Sequence, residues 1–170
     1  ALATDAEILL MDEAFSALDP LIRTDMQGIL LGLQAELHKT IVFITHDLDE
    51  ALRIGDEISI LRDGEVVQQG TSQEIVMNPL DDYIADFIKD VNRARVLEVR
   101  SIMEPSKTDK GPRLDLTTPL EDAMGKLSEA GETSGCVVDD KGHVIGKIEL
   151  SAAISAIKRP EKTSTELRYR

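Results

Sequence analysis

Tryptophan is absent from this chain of 170 residues, aromatic residues make up 3%, and cysteine occurs once, as Cys136. So few aromatics leave no basis for the aromatic cage that captures a quaternary ammonium group directly. A single cysteine excludes an intrachain disulfide and suits a reducing compartment. Placed in the apolar run Cys136-Val137-Val138, it reads as a small buried hydrophobe rather than a reactive thiol. Basic residues are also short, 19 Lys and Arg against 32 Asp and Glu, for a formal net charge of -13. Sequence-independent affinity for nucleic acid comes from clustered Lys and Arg, so nucleic acid is excluded as the main partner. Lys158, Arg159, Lys162, Arg168 and Arg170 reverse the sign locally, but Glu161 and Glu166 interrupt them, and the stretch reads as a solvated tail.

Long apolar runs are missing as well. No stretch approaches the roughly 20 residues of a membrane span, and Ala1-Leu2-Ala3-Thr4-Asp5 has neither the basic start nor the apolar core of a signal peptide. The chain is expected to be soluble, with any membrane role arising through partners. No Cys, His and Asp residues cluster at ligand spacing, so a metal site made by protein groups alone is not expected. His38, before Lys39, reads as a surface or capping residue, and His143 adjoins a turn.

What the chain does contain is punctuated alternation of strand and helix. A hydrophobic content of 42% supports one moderate core or two small ones. Residues 7–12 and 39–45 are unbroken apolar runs of the parallel-sheet kind, expected to be buried on both faces. Between them a helix is expected from Pro20 to Leu37, with Asp19 as N-cap and Pro20 in the first turn. Asp47 and Asp49 open a short helix that Gly55 closes. Strands over 57–61 and 65–69 flank the turn Asp63-Gly64. Thr71 and Glu74 form a capping box for a helix that Asn78-Pro79 stops, and a further helical stretch is expected from Asp81 towards Val99, with Tyr83, Ile84, Phe87, Ile88 and Val91 as its apolar stripe.

After Arg100 the pattern becomes a small β-α-β-β-α module. A polar loop over 106–112 precedes a short strand over 113–116. Thr118-Pro119-Leu120-Glu121 is expected to start a helix by a capping box, ending near Gly131. Strands over 134–138 and 143–148 enclose the turn 139–142, and a last helix covers 150–157.

The chemistry sits in the first half. Ile8-Leu9-Leu10-Met11-Asp12-Glu13 carries two carboxylates out of the C-terminal end of a strand, where α/β sheets place their ligands. Such a pair can divide labour at a nucleotide: Asp12 supports a magnesium ion, and Glu13 polarises an attacking water. Ser16-Ala17-Leu18-Asp19 supplies a polar turn before the following helix. His46, in Ile44-Thr45-His46-Asp47, stands at the end of the neighbouring strand, where its imidazole could donate to a terminal phosphate.

These residues resemble the ATP-binding subunits of ABC transporters. Ile8 to Glu13 looks like the Walker B strand with its catalytic glutamate, Ser16 to Asp19 like the D-loop, and His46 like the switch histidine. The likeness covers about the first 90 residues, and the wording Met11 to Arg23, with Phe43 to Ala51, most resembles the glycine betaine and proline importers. The resemblance implies ATP and magnesium as cofactors and a homodimer of ATPase subunits in which Asp19 faces the opposing copy. It also implies transmembrane permease partners, a substrate-binding protein acting indirectly, and a peripheral place on the cytoplasmic face of the cell membrane. Another subunit would then recognise the solute.

Two elements of that family are not found. A phosphate loop needs Gly, four residues, then Gly-Lys-Ser/Thr, whereas Gly125-Lys126 precedes Leu127 and Gly146-Lys147 precedes Ile148; no Gly-Gly dipeptide supplies the signature motif. Ala1-Leu2-Ala3 looks like the end of the helix that follows that signature. The expectation is therefore a truncated P-loop NTPase of the ABC type, α/β in class, inactive alone, whose two leading strands lack neighbours and promote dimers or aggregates.

From Val99 to Ile157 the chain resembles a CBS domain, on Pro119 to Gly131, Val137-Val138-Asp139 and Val144 to Ile148. Such units work in pairs and often bind adenosine nucleotides. Nucleotide-binding members commonly place Ser or Thr three residues after the glycine of the last strand and Asp three further on. Glu149 and Ala152 stand there instead, removing a ribose acceptor and repelling phosphate, which favours a structural or sensing role. The expected organisation is an ATPase part over 1–80, a helical connector over 81–100, a CBS unit over 101–158 and a tail over 159–170. The alternative is a non-enzymatic CBS regulatory protein that binds a nucleotide or a protein partner.

Overall fold

The computed structural model describes residues 7–37 and 39–158. The expectations for His38, for Ala1-Leu2-Ala3 and for the basic tail beyond Lys158 lie outside the described residues. The chain divides into two compact units, residues 1–58 and 59–170, and its class is α/β as expected.

The first unit is built on a parallel pair, β1 (Ile8–Asp12) and β2 (Thr40–Ile44), joined by α1 (Pro20–Leu37) and followed by α2 (Leu48–Ile54). An α-helical crossover is the connection that parallel neighbours require. Asp19 caps α1 as expected, its Oδ1 accepting from the amides of Leu21 and Ile22 at 3.1 Å each. Asp47 caps α2 by accepting from the Glu50 amide, and Gly55 follows the last turn. Leu9, Phe15, Leu30 and Leu52 are buried, and Phe15 stacks on Phe43 with ring centroids 5.5 Å apart.

Burial of the strands on both faces is corrected. Register pairs Leu10 with Val42 and Asp12 with Ile44, so period two gathers these residues and Ile8 on one face. That face is open: Leu10 is 74% exposed, Ile8 60%, Ile44 56% and Val42 45%. A strand apolar at every position is covered on both sides only when other layers flank it, and here the pair is a two-stranded sheet among the described residues.

The second unit starts with the hairpin of β3 (Ile58–Arg62, whose first residue closes the first unit) and β4 (Glu65–Gly70). Asp63 and Gly64 take φ of 53° and 84°, the left-handed pair that a tight hairpin turn demands. The capping box of Thr71 and Glu74 opens α3 (Ser72–Met77) as expected. The single helix expected over 81–99 is instead broken into α4 (Asp82–Phe87), α5 (Arg93–Val96) and a 3₁₀ turn, Val99–Ser101. Asn92 causes the restart by accepting from the Ala94 amide, a local bond that competes with helix continuation. Of the expected stripe, Ile84 and Ile88 are buried, whereas Tyr83 and Phe87 stack on each other at 37% and 42% exposure.

A four-stranded sheet completes the unit, in the order β5 (Glu104–Pro105), β8 (Val144–Glu149), β7 (Ser134–Val138), β6 (Arg113–Asp115), with α6 (Leu120–Glu129) and α7 (Leu150–Ile157). Its core includes Leu97, Val99, Leu114, Leu120, Leu127, Val137 and Ile148, all at most 1% exposed. The short strand β5 was not anticipated; two residues carry no readable period. The expected capping box at Thr118 does not form. Pro119 occupies the cap position without a side-chain bond, because Thr118 is buried with its backbone bonded to Asp115 and Val99 and Glu121 pairs with Arg95 at 2.8 Å. Cys136 is fully buried as expected, with Sγ donating to Asp109 Oδ1 at 3.5 Å. Gly111 is required where it stands: at φ 78° a β-carbon would lie 2.1 Å from the Ser134 carbonyl oxygen.

Candidate functional site

The ends of β1 and β2 bring Glu13 and His46 together. The ladder continues one step beyond the strands, the Glu13 amide donating to the Ile44 carbonyl at 2.9 Å. Glu13 then takes φ of 48°, an uncommon region for a side chain of this size and one found at functional turns. Its Oε1 accepts from both the His46 amide at 3.1 Å and the His46 ring Nδ1 at 2.7 Å. An ionised carboxylate only accepts, so Nδ1 carries the proton. Hydrogen bonding and then charge from Glu13 raise the His46 pKa above its ordinary value, with smaller contributions from Asp47 and Glu50.

The turn after β1 is held by its own polar groups. Ser16 donates to the Glu13 carbonyl through Oγ at 2.9 Å and through its amide at 3.2 Å, and Leu18 N–H reaches the Phe15 carbonyl. Asp12 is exposed at the strand end, facing the same side as Ile44. It offers one hard oxygen ligand, and no group of three His, Cys, Asp or Glu able to hold a metal occurs among the described residues. That donor chemistry fits a magnesium ion whose other ligands are water and phosphate, and does not fit a cage made by this chain.

Three residues that sequence reading did not single out frame the site. Arg23 on α1 donates to Asp47 Oδ2 at 2.9 Å and to the Leu18 carbonyl at 3.3 Å. Gln27, one turn further, donates to Glu50 at 3.0 Å, and both side chains are buried. The available signal was the spacing of Arg23 and Gln27, four apart on one helix face, though nothing local indicated that α2 lies opposite.

In the second unit, Glu149 stands in a charged group at the end of β8. Lys147 Nζ lies 2.8 Å from Glu149 and 3.4 Å from Glu104. Its partners raise the lysine pKa, and Lys147 lowers that of Glu149. Ala152 is exposed on α7. His143 pairs with Asp139 across the turn at 3.3 Å.

No protein-family model matches the chain. The glycine betaine transport ATP-binding protein OpuAA of Bacillus subtilis is 50% identical over 92% of this chain and 36% of its own length. The glycine betaine/carnitine transport ATP-binding protein GbuA of Listeria monocytogenes is 47% identical over 98% of this chain and 41% of its own. ProV, the ATP-binding protein of the glycine betaine/proline betaine transport system of Escherichia coli, is 43% identical over 95% of this chain and 40% of its own. The chain thus spans less than half the length of the curated relatives it matches.

Proposed function

We propose, on the premise that this chain is homologous to part of the ATP-binding proteins of glycine betaine transporters, that it belongs to the ATP-hydrolysing subunit of an ABC importer for quaternary amines or proline. In this reading Glu13 is the catalytic carboxylate, His46 donates to the γ-phosphate, Asp12 supports magnesium through water, and Ser16 and Asp19 shape a loop that faces a second copy of the subunit. Permease subunits and, indirectly, a substrate-binding protein are its partners on the cytoplasmic face of the cell membrane. Residues 1–80 are assigned to the ATPase part, 81–100 to a connector and 101–158 to a regulatory CBS unit, in which Glu149 and its lysine partner favour sensing over adenosine binding. No helix among the described residues is long and apolar enough to cross a membrane.

The Glu13–His46 pair, 2.7 Å apart at the ends of adjoining parallel strands, carries the reading. Both His46 donors converge on Oε1, so Oε2 is the oxygen from which Glu13 can draw a water proton while the backbone bond keeps the carboxylate in place. Magnesium, when bound, neutralises charge on the phosphates. In the assembled transporter, Glu13→Gln should lower kcat for ATP hydrolysis by on the order of 10²- to 10⁴-fold with little change in KM. Wild-type turnover by that variant would remove Glu13 from the mechanism. The 170-residue chain by itself has no phosphate loop in its sequence, and is expected to hydrolyse ATP no faster than its Glu13→Gln variant.

A further inference from the structure

We propose that Arg23 is a positioning residue that ties the Ser16–Asp19 loop to the His46 loop, so that the Glu13–His46 pair closes or opens with the loop that precedes α1. The proposal rests on the catalytic reading above for its consequence, though not for its geometry.

One guanidinium spans both loops. Its Nη1 donates to Asp47 Oδ2 at 2.9 Å and its Nη2 to the Leu18 carbonyl at 3.3 Å. Leu18 lies within the loop whose first residue, Ser16, holds the Glu13 carbonyl, and Asp47 directly follows His46. Asp47 is itself locked, its amide donating to Thr45 Oγ1 at 3.0 Å and its Oδ1 accepting from Glu50. A shift of the 16–19 loop therefore pulls on Leu18, then Arg23, then Asp47, and so on the residue before it. The planar fork of arginine offers Nη1 and Nη2 to two acceptors at a fixed spacing; the single nitrogen of lysine, on a flexible stem, does not hold that spacing.

Stability alone does not account for this arrangement. Among the described residues Arg23 Nε is buried without a hydrogen-bond partner, which is costly, and a part-exposed ion pair such as Arg23–Asp47 is a weak stabiliser. In the catalytic reading the loop faces a second copy of the subunit and the histidine faces the γ-phosphate, so a rigid strut between them couples the approach of the copy to the placing of His46.

The test is amide hydrogen exchange on the 170-residue chain. The His46 amide donates to Glu13 Oε1 at 3.1 Å, and release of its loop should free it to exchange. Arg23→Lys and Asp47→Asn should each speed exchange at His46 on the order of tenfold, with the amides of β2 changing less than twofold. Asn caps helices about as well as Asp, so Asp47→Asn keeps the α2 cap and decides the matter if the Arg23 variant fails to fold. Unchanged exchange at His46, or equal acceleration at His46 and β2, would overturn the strut. In the assembled transporter Arg23→Lys should reduce kcat by on the order of 10- to 100-fold at constant KM for ATP, as a small misplacement of reacting groups does. An unchanged kcat overturns its role in turnover. Should Glu13→Gln retain full hydrolysis, the catalytic reading fails while the exchange result still judges the strut.

Discussion

Glu13 and His46 form the contact that carries the proposed function, and its electrostatics have a definite sign. The glutamate raises the His46 pKa above its ordinary value near 6.5. A raised folded-state value means that the protonated ring is favoured by folding, so its contribution to stability is full below about pH 6.5 and is lost as pH rises through the higher folded value. An NMR titration of the His46 ring should place its midpoint above that of an unfolded histidine, and Glu13→Gln should move it down, since both leading causes belong to Glu13. A midpoint indifferent to that substitution would show that the pair does not persist in solution. The residue identities were readable from the sequence, because two acids after an apolar run and a histidine after another are local patterns. The 48° φ that turns Glu13 towards the ring was not, since nothing in a glutamate announces a left-handed backbone.

Among the elements, the helices of the second unit show how far local signals reach. The capping box at Thr71 was legible because its four residues satisfy one another. The same grammar failed at Thr118, where burial and a backbone bond from Val99 took over. The restart that Asn92 makes at α5 is anchored from further away by Arg93, whose guanidinium donates to the Val76 carbonyl at the end of α3 and, at 3.0 Å, to the Ala156 carbonyl in the last turn of α7. Burial lowers its pKa, though an arginine remains charged. Replacing it by Met keeps the apolar stem and removes both bonds. Arg93→Met is expected to destabilise the second unit by about 3 kcal/mol, given about 1.5–3 kcal/mol per bond to a charged group, measured by denaturant unfolding. A loss below about 0.5 kcal/mol would mean that water replaces the guanidinium without penalty.

At the scale of the whole molecule, the open face of β1 and β2 is expected to govern association. Leu10, Ile8, Ile44 and Val42 form a contiguous apolar surface beside strand edges whose backbone groups invite pairing. The chain should associate as its concentration rises, and Leu10→Glu combined with Val42→Lys, an opposite-charge pair directly across the two strands, should shift sedimentation towards monomer. Monomer at millimolar concentration in the unmodified chain would show that the net charge of -13 outweighs this surface.

By itself the sequence determined the order and kind of the elements and the residues that reach the strand ends, because periodicity, caps and turn chemistry act over a few neighbours. It also carried the likeness to ATP-binding proteins, through residues whose types suit the chemistry of phosphate and water. Tertiary structure alone decided which strand face lies open, that Glu13 bonds His46 twice, and that Arg23 spans two loops. Those outcomes depend on hydrogen bonds between residues as many as 33 positions apart, and a bond across that distance is selected by how helices and strands pack rather than by the spacing of its partners.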